Sequence, residues 1–184
     1  NFKNPSNKIL SFILSLASGL MIAVVCFELV PEATNISNIP TAILGIIAGI
    51  IMMIFCDIFV EKKFNNKKIK GNSLLKTGIV VSIGLAIHNI PEGLAIGTGF
   101  EASMKLGYSL AIAIAIHDIP EGISMAAPMK KGGLKSEKIL FYVILSGVTT
   151  GLGAFVGAIV GNISQKVIAV CLALAAGAML YIVS

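Results

Sequence analysis

The chain has 184 residues, of which 56% are hydrophobic and only 12% are charged. Its mean hydropathy of +0.93 is more than a water-soluble domain of this size could bury, so the composition predicts an integral membrane protein in contact with the lipid bilayer. The net charge of +5 comes from lysines spread along the chain rather than gathered in one basic patch, which argues against a nucleic-acid partner.

Six apolar runs follow one another along the chain, and each is long enough to cross roughly 30 Å of hydrocarbon as a helix. We therefore predict an all-α integral membrane protein, a polytopic helix bundle that forms a single transmembrane domain over residues 1–184. Short polar connections separate the runs. The predicted spans are Ile9–Val30, Thr41–Val60, Leu74–Gly99, Leu106–Met129, Ile139–Val160 and Val167–Val183.

The lysines predict the orientation of this bundle. Loops 62–73 and 130–138 lie on the same side and carry most of them, whereas the connections on the other side carry few. Because lysine-rich loops stay in the cytoplasm, both loops are predicted to be cytoplasmic. Loop 62–73 contains no histidine, so we expect a basic, solvated loop that lies against anionic lipid.

Two near-copies of one hexapeptide lie inside the third and fourth runs. They are His88-Asn89-Ile90-Pro91-Glu92-Gly93 and His117-Asp118-Ile119-Pro120-Glu121-Gly122. On a helix, residues four apart share a face, so His88 lies above Glu92 and His117 above Glu121. Ionisable side chains are costly in hydrocarbon unless they face a cavity, a partner or an ion. If the two helices are antiparallel neighbours, their imidazoles, carboxylates and amide can converge on one or two divalent ions.

The prolines and glycines of the two copies add a backbone argument. Pro91 and Pro120 cannot donate to the carbonyls four residues earlier, so the central pair of helices is predicted to be kinked beside an ion-binding cavity. Gly93 and Gly122 are expected to allow close approach of neighbouring helices, and a further packing face is predicted on the fifth run. That face comprises Gly147, Gly151, Gly153, Gly157 and Gly161.

These motifs resemble those of the Zrt/Irt-like (ZIP) divalent metal transporters, in their bacterial branch. HNIPEG followed by HDIPEG is similar to the fourth and fifth helices of that family. The segments 17–23 and 29–33 are similar to its second helix, and 146–151 to its sixth. The family has eight helices, so the resemblance implies that this chain shows helices two to seven. Essentially the whole chain is covered.

The resemblance implies a binuclear metal site midway across the bacterial inner membrane. His88, Glu92, His117 and Glu121 would form the transport site, with Met21 as a thioether ligand from the second family helix. Asn89 and Asp118 would form the second site together with Glu92 and Glu121, which both ions would share. Some bacterial members carry glutamate where this chain has Thr150. Whether the second site is permanently occupied is therefore left open.

The predicted function is uptake of divalent metal cations into the cytoplasm rather than an enzymatic reaction. Zn²⁺ is the expected cargo, and Fe²⁺, Mn²⁺ and Cd²⁺ are alternatives, because nitrogen and oxygen ligands suit all of them. Glu28 and Glu32 are candidate entrance residues, with simple solvation at the membrane interface as the alternative. A homodimer is a further candidate partner. Two other interpretations stay open here, namely an intramembrane metal-dependent hydrolase and a metal-stabilised structural subunit.

Overall fold

The computed structural model describes residues 7–65 and 73–184, and within these ranges the chain is helical without β-strands. Among the described residues, six segments are long and apolar enough to cross a membrane, which confirms the predicted polytopic all-α bundle. The predicted loop 62–73 lies outside the described residues at positions 66–72. The α-helices are α1 Asn7–Val24, α2 Val30–Ile36, α3 Ile39–Asn65, α4 Ser73–Ala102, α5 Met104–Lys131, α6 Ser136–Gly161 and α7 Gln165–Val183.

The first span is longer than the sequence predicts. It does not end at Val30 but continues through a π-helical turn, Val25–Leu29, into α2. The backbone N–H of Val30 donates to the carbonyl of Val25, five residues earlier, which widens the helix just before Pro31. Pro31 follows at the second residue of α2 and, because it lacks an N–H, donates no hydrogen bond to the preceding turn.

The connection between α4 and α5 is much tighter than the predicted loop at 100–105. Only Ser103 separates the two helices, and its hydroxyl accepts a hydrogen bond from the backbone N–H of Leu106 at 3.1 Å. Such a cap satisfies one of the unpaired N–H groups of the first turn of α5. The apolar run ends earlier than the helix because helical hydrogen bonding continues through the polar Glu101.

The helices pack in two groups. In one group α4 packs extensively on α6 and on α5, and in the other α7 packs on α3 and on α2. Contacts of α4 with α7 and of α1 with α5 join the groups. Buried apolar residues at this junction form the core cluster, among them Met21, Leu29, Leu110, Ile114 and Leu172. Large apolar side chains also cover the outside, as expected for a lipid-facing surface.

Glycines bring the backbones of α4 and α6 into direct contact. A Cβ atom at Gly93 would lie 2.0 Å from the carbonyl oxygen of Thr150, and one at Gly153 would lie 2.3 Å from that of Ile90. The predicted packing face of α6 is therefore confirmed at Gly153, Gly157 and Gly161, but it is wrong at Gly147 and Gly151, where a Cβ would meet no atom within 4 Å. Both residues are exposed rather than packed against a neighbouring helix.

Helices α4 and α5 both continue through their internal prolines. Pro91 lies inside α4, and Pro120 and Pro128 lie inside α5, without a break in either helix. The two hexapeptides therefore remain on helices throughout, and residues four apart keep a common face. Helix α5 ends at Lys131, where Gly133 with φ of 88° begins the turn into α6.

Candidate metal centre

The histidines and glutamates of both hexapeptides lie inside the bundle, on adjacent helices joined by the one-residue connection at Ser103. Because α4 and α5 must be antiparallel across so short a connection, the two motifs meet at similar depth. His88 and Glu92 of α4 and His117 of α5 are completely shielded from solvent. Glu121 is also buried, with only 12% of its side chain accessible. The expected convergence of the two motifs is thus present in the structure.

Glu92 is the centre of the cluster. Its Oε1 lies 3.1 Å from Nε2 of His88 and 2.8 Å from Nε2 of His117, so one carboxylate oxygen stands between the two imidazoles. Glu121 Oε1 is 3.6 Å from Nε2 of His88, and Asp118 Oδ1 is 3.7 Å from Nε2 of His117. Five side chains from two helices are therefore within a few ångströms of one another.

These five residues form two overlapping groups of donor atoms. His88, Glu92 and Glu121 form one group, and Glu92, His117 and Asp118 form the other, with all donor atoms of a group within 4.8 Å of one another. Imidazole nitrogen and carboxylate oxygen are common ligands of first-row divalent metals. Glu92 belongs to both groups, so it is the residue best placed to bridge two ions.

Several polar atoms of the cluster are buried without a hydrogen-bond partner. Within the described part of the chain there are seven such side-chain atoms, and all belong to the two hexapeptides or to Thr150. His88 Nε2 is one of them, since its 3.1 Å approach to Glu92 lacks hydrogen-bond geometry. Buried polar groups are normally paired, so the clustering of these unpaired atoms fits a site that binds a polar or charged ligand. The seven atoms are His88 Nδ1 and Nε2, Asn89 Oδ1, Glu92 Oε2, His117 Nδ1, Asp118 Oδ1 and Thr150 Oγ1.

Asn89 and Asp118 line one cavity beside this cluster. The cavity has a volume of about 120 Å³ and is also lined by Glu121, Ser146 and Gly147. Asn89 is almost fully buried, whereas 32% of the Asp118 side chain is accessible. The residues predicted for a second ion are therefore gathered at the α4–α5–α6 interface.

The other predicted site residues lie elsewhere in the bundle. Met21 of α1 is buried in the core cluster at the α1–α5 junction, and its role as a ligand stays a prediction. Glu28 lies in the π-helical turn, where its Oε1 accepts a hydrogen bond from the hydroxyl of Ser109 at 2.7 Å. Glu32 is half-buried one turn further on, and the entrance role of both glutamates stays a prediction.

Two polar contacts of the bundle were not predicted from the sequence. Ser146 of α6 contacts Asn89, and Ser109 of α5 contacts Glu28. Each of these two serines lies within a mostly apolar or glycine-rich helix, where small residues usually indicate close packing. No pattern within the chain distinguishes these serines from the others, so only the packing of the helices identifies their partners.

Fold and site together define a polytopic helical membrane protein whose buried imidazoles and carboxylates meet between two central helices. Comparison with known proteins then identifies the family of this protein. The model of the ZIP zinc transporter family matches residues 65–184. The chain belongs to this family.

Relatives named as zinc transporters align with most or part of the chain. The zinc transporters ZupT of Corynebacterium aurimucosum and Akkermansia muciniphila are each 31% identical over 98% of this chain, which covers 75% and 76% of their lengths. The zinc transporter ZIP11 of Xenopus tropicalis is 38% identical over 62% of this chain, but the match spans only 36% of its own length. The expected resemblance to the bacterial branch is confirmed.

Proposed function

We propose that the protein carries divalent metal cations across a bacterial inner membrane into the cytoplasm, and that Zn²⁺ is its main cargo. The observation that carries this proposal is the position of Glu92 Oε1 between the two histidines, 3.1 Å and 2.8 Å from their Nε2 atoms, inside a buried cluster of unpaired donor atoms. The names of the relatives support transport over the hydrolase alternative, because they are zinc transporters rather than enzymes.

In this proposal the first ion binds among His88, Glu92, His117 and Glu121. A second ion binds beside Asn89 and Asp118, and Glu92 and Glu121 serve both positions. Three carboxylates in a low-dielectric interior need positive charge nearby, which a divalent ion provides. Met21 is proposed as an additional thioether ligand. Thr150 has an unpaired buried hydroxyl and would be a weaker, neutral ligand of the second ion.

The orientation of the bundle in the membrane is proposed from the lysines. Lys62 at the end of α3 and Lys130, Lys131, Lys135 and Lys138 around the α5–α6 turn are exposed on the side that we assign to the cytoplasm. Glu28 and Glu32 then belong to the external half of the bundle. Their carboxylates are proposed to attract cations toward the cluster.

Metal flux into proteoliposomes tests this proposal. The purified full-length protein would be reconstituted with a Zn²⁺-sensitive dye inside the vesicles, and His88→Ala compared with the unmodified protein. We expect saturable influx that falls by more than about 100-fold in the variant, since loss of a direct ligand should exceed the 10–100-fold loss typical of outer-shell partners.

Thr98→Val is a suitable control for this experiment. Thr98 lies on the same helix as His88, is buried, and donates its hydroxyl only to backbone carbonyls of α4, at 2.8 Å to Leu94. Loss of the Thr98 hydroxyl should leave Zn²⁺ influx close to that of the unmodified protein. Stoichiometric metal binding without influx in the unmodified protein would contradict the transport proposal and support a structural or hydrolytic metal site.

A further inference from the structure

The two hexapeptides differ at their second residue, which is Asn89 in one and Asp118 in the other, and the neighbouring helix α6 offers a reason. The side-chain nitrogen Nδ2 of Asn89 donates to the backbone carbonyl oxygen of Ser146 at 3.0 Å and approaches the hydroxyl of Ser146 at 3.2 Å. Both residues are buried, with 5% and 3% of their surfaces exposed. The contact therefore lies away from solvent, where hydrogen bonds hold a side chain firmly.

This contact decides which end of the amide faces the site. A backbone carbonyl oxygen can only accept a hydrogen bond, so it selects the NH₂ end of Asn89 over the oxygen end. The oxygen Oδ1 is then directed elsewhere, and it is buried without a hydrogen-bond partner among the described residues. Asn89 lines the cavity that it shares with Asp118 and Glu121. A side-chain amide binds a cation through its oxygen, because its nitrogen carries only donor hydrogens.

The packing of α4 on α6 sets the register of this contact. Asn89 meets Ser146, a Cβ on Gly93 would meet the carbonyl of Thr150, and a Cβ on Gly97 would meet that of Ala154. All three pairs have the same sequence offset, so the two helices run side by side for several turns. The glycines permit the close backbone approach that brings the Ser146 carbonyl within reach of Asn89.

We propose that Ser146 is a positioning residue that holds the Asn89 amide with its oxygen toward the second metal ion. The inference rests on the proposed metal site and deepens it, because it assigns a role to a residue of α6 that contacts no ion itself. It also accounts for asparagine at position 89. An aspartate there would place a carboxylate oxygen against the Ser146 carbonyl, with no proton between two acceptors.

Metal binding to purified full-length protein tests the proposal, with Cd²⁺ as the probe and equilibrium dialysis as the measurement. Ser146→Ala removes the hydroxyl and leaves the carbonyl, so the loss should be partial. We expect the second Cd²⁺ to bind about three- to tenfold more weakly, which corresponds to one hydrogen bond of ordinary strength. In an Asn89→Ala background there is no amide to orient, and the same Ser146→Ala change should alter affinity by less than about twofold.

Two further variants separate positioning from packing. Ser146→Thr keeps a hydroxyl at the same position and offers no thiolate to Cd²⁺, so its Cd²⁺ affinity should lie closer to that of the unmodified protein than the affinity of Ser146→Ala does. Thr98→Val is the matched control here too. Thr98 is buried on α4 and donates to the backbone carbonyls of Leu94 and Ala95 at 2.8 and 3.3 Å, so the variant removes a buried hydroxyl that does not contact Asn89.

The possible results distinguish a failure of this inference from a failure of the proposed function. Unchanged Cd²⁺ affinity in Ser146→Ala, or an equal loss in Ser146→Ala and Ser146→Thr, would overturn the positioning role and leave the proposed metal site standing. Equal losses in the Asn89 and Asn89→Ala backgrounds would also overturn it, because they would show that Ser146 acts through helix packing. Absence of Cd²⁺ binding in the unmodified protein would reject the metal site itself, and the positioning role with it.

Discussion

The two copies of the hexapeptide share five of their six residues but lie in different surroundings. The copy on α4 is enclosed, since Asn89 contacts Ser146 and Gly93 leaves no room for a side chain against the backbone of α6. The copy on α5 is looser, since about a third of Asp118 is accessible and a Cβ on Gly122 would approach only Val143, at 3.5 Å.

Two copies of one motif can therefore have different roles in the same protein. Enclosed ligands are held by neighbouring helices and lose little freedom when they bind an ion, whereas looser ligands must be ordered by it. We infer that the α4 copy supplies the fixed half of the candidate site and that the α5 copy, apart from its buried His117, supplies the adjustable half at Asp118 and Glu121. Glu92 belongs to the fixed half and contacts both histidines, so it links the two.

The largest effect is expected when this link is removed. Glu92→Gln keeps the shape of the side chain but removes the negative charge between His88 and His117. We expect Zn²⁺ influx into proteoliposomes to fall by more than about 100-fold, beyond the 10–100-fold loss typical of outer-shell partners. The influx of Glu121→Gln, measured in parallel, should fall less, because Glu121 lies further from His88 and is partly accessible. Greater sensitivity at Glu121 would reverse the assignment of the two halves.

An intermediate effect on stability is expected from the two glycines. Gly93→Ala would place a methyl group on the backbone of α6, with overpacking of the kind that costs about 1–3 kcal/mol. Gly122→Ala meets only an ordinary van der Waals contact, and alanine favours helix by roughly 0.8–1.0 kcal/mol over glycine, so no loss is expected. Thermal unfolding of both variants in detergent measures the difference. Equal unfolding temperatures would mean that α6 does not enclose the first copy.

The smallest effect is expected from exchanging the residues that distinguish the copies. Asp118→Asn gives α5 the same hexapeptide as α4 and removes one carboxylate at a partly accessible position. Fewer charged ligands weaken cation binding, and we expect a loss in Cd²⁺ affinity of about tenfold or less. Asn89→Asp should be tolerated less well, since the new carboxylate would face the Ser146 carbonyl, which lies 3.0 Å from Nδ2 in the unmodified protein. Better Cd²⁺ binding by Asn89→Asp than by Asp118→Asn would contradict this difference.

Much of the architecture was predictable from the chain. The length and apolar character of six runs specify membrane-spanning helices, because hydrocarbon leaves the backbone no hydrogen-bond partner other than itself. The spacing of His88 and Glu92, and of His117 and Glu121, also places each pair on one helical face. Helix ends were predicted less accurately. The first span passes Pro31 because a π-helical turn precedes the proline, and hydropathy does not reveal that turn.

Composition and helical periodicity act locally along the chain, so they suffice to predict the class of protein, the number of spans and the donor groups of the candidate site. The difference between the two copies depends instead on how the helices pack. The enclosure of Asn89, the pairing of Glu28 with Ser109 and the division of the α6 glycines into packed and exposed faces all depend on partners distant in the chain. Such contacts arise from the register in which helices pack, and that register is a property of two surfaces together.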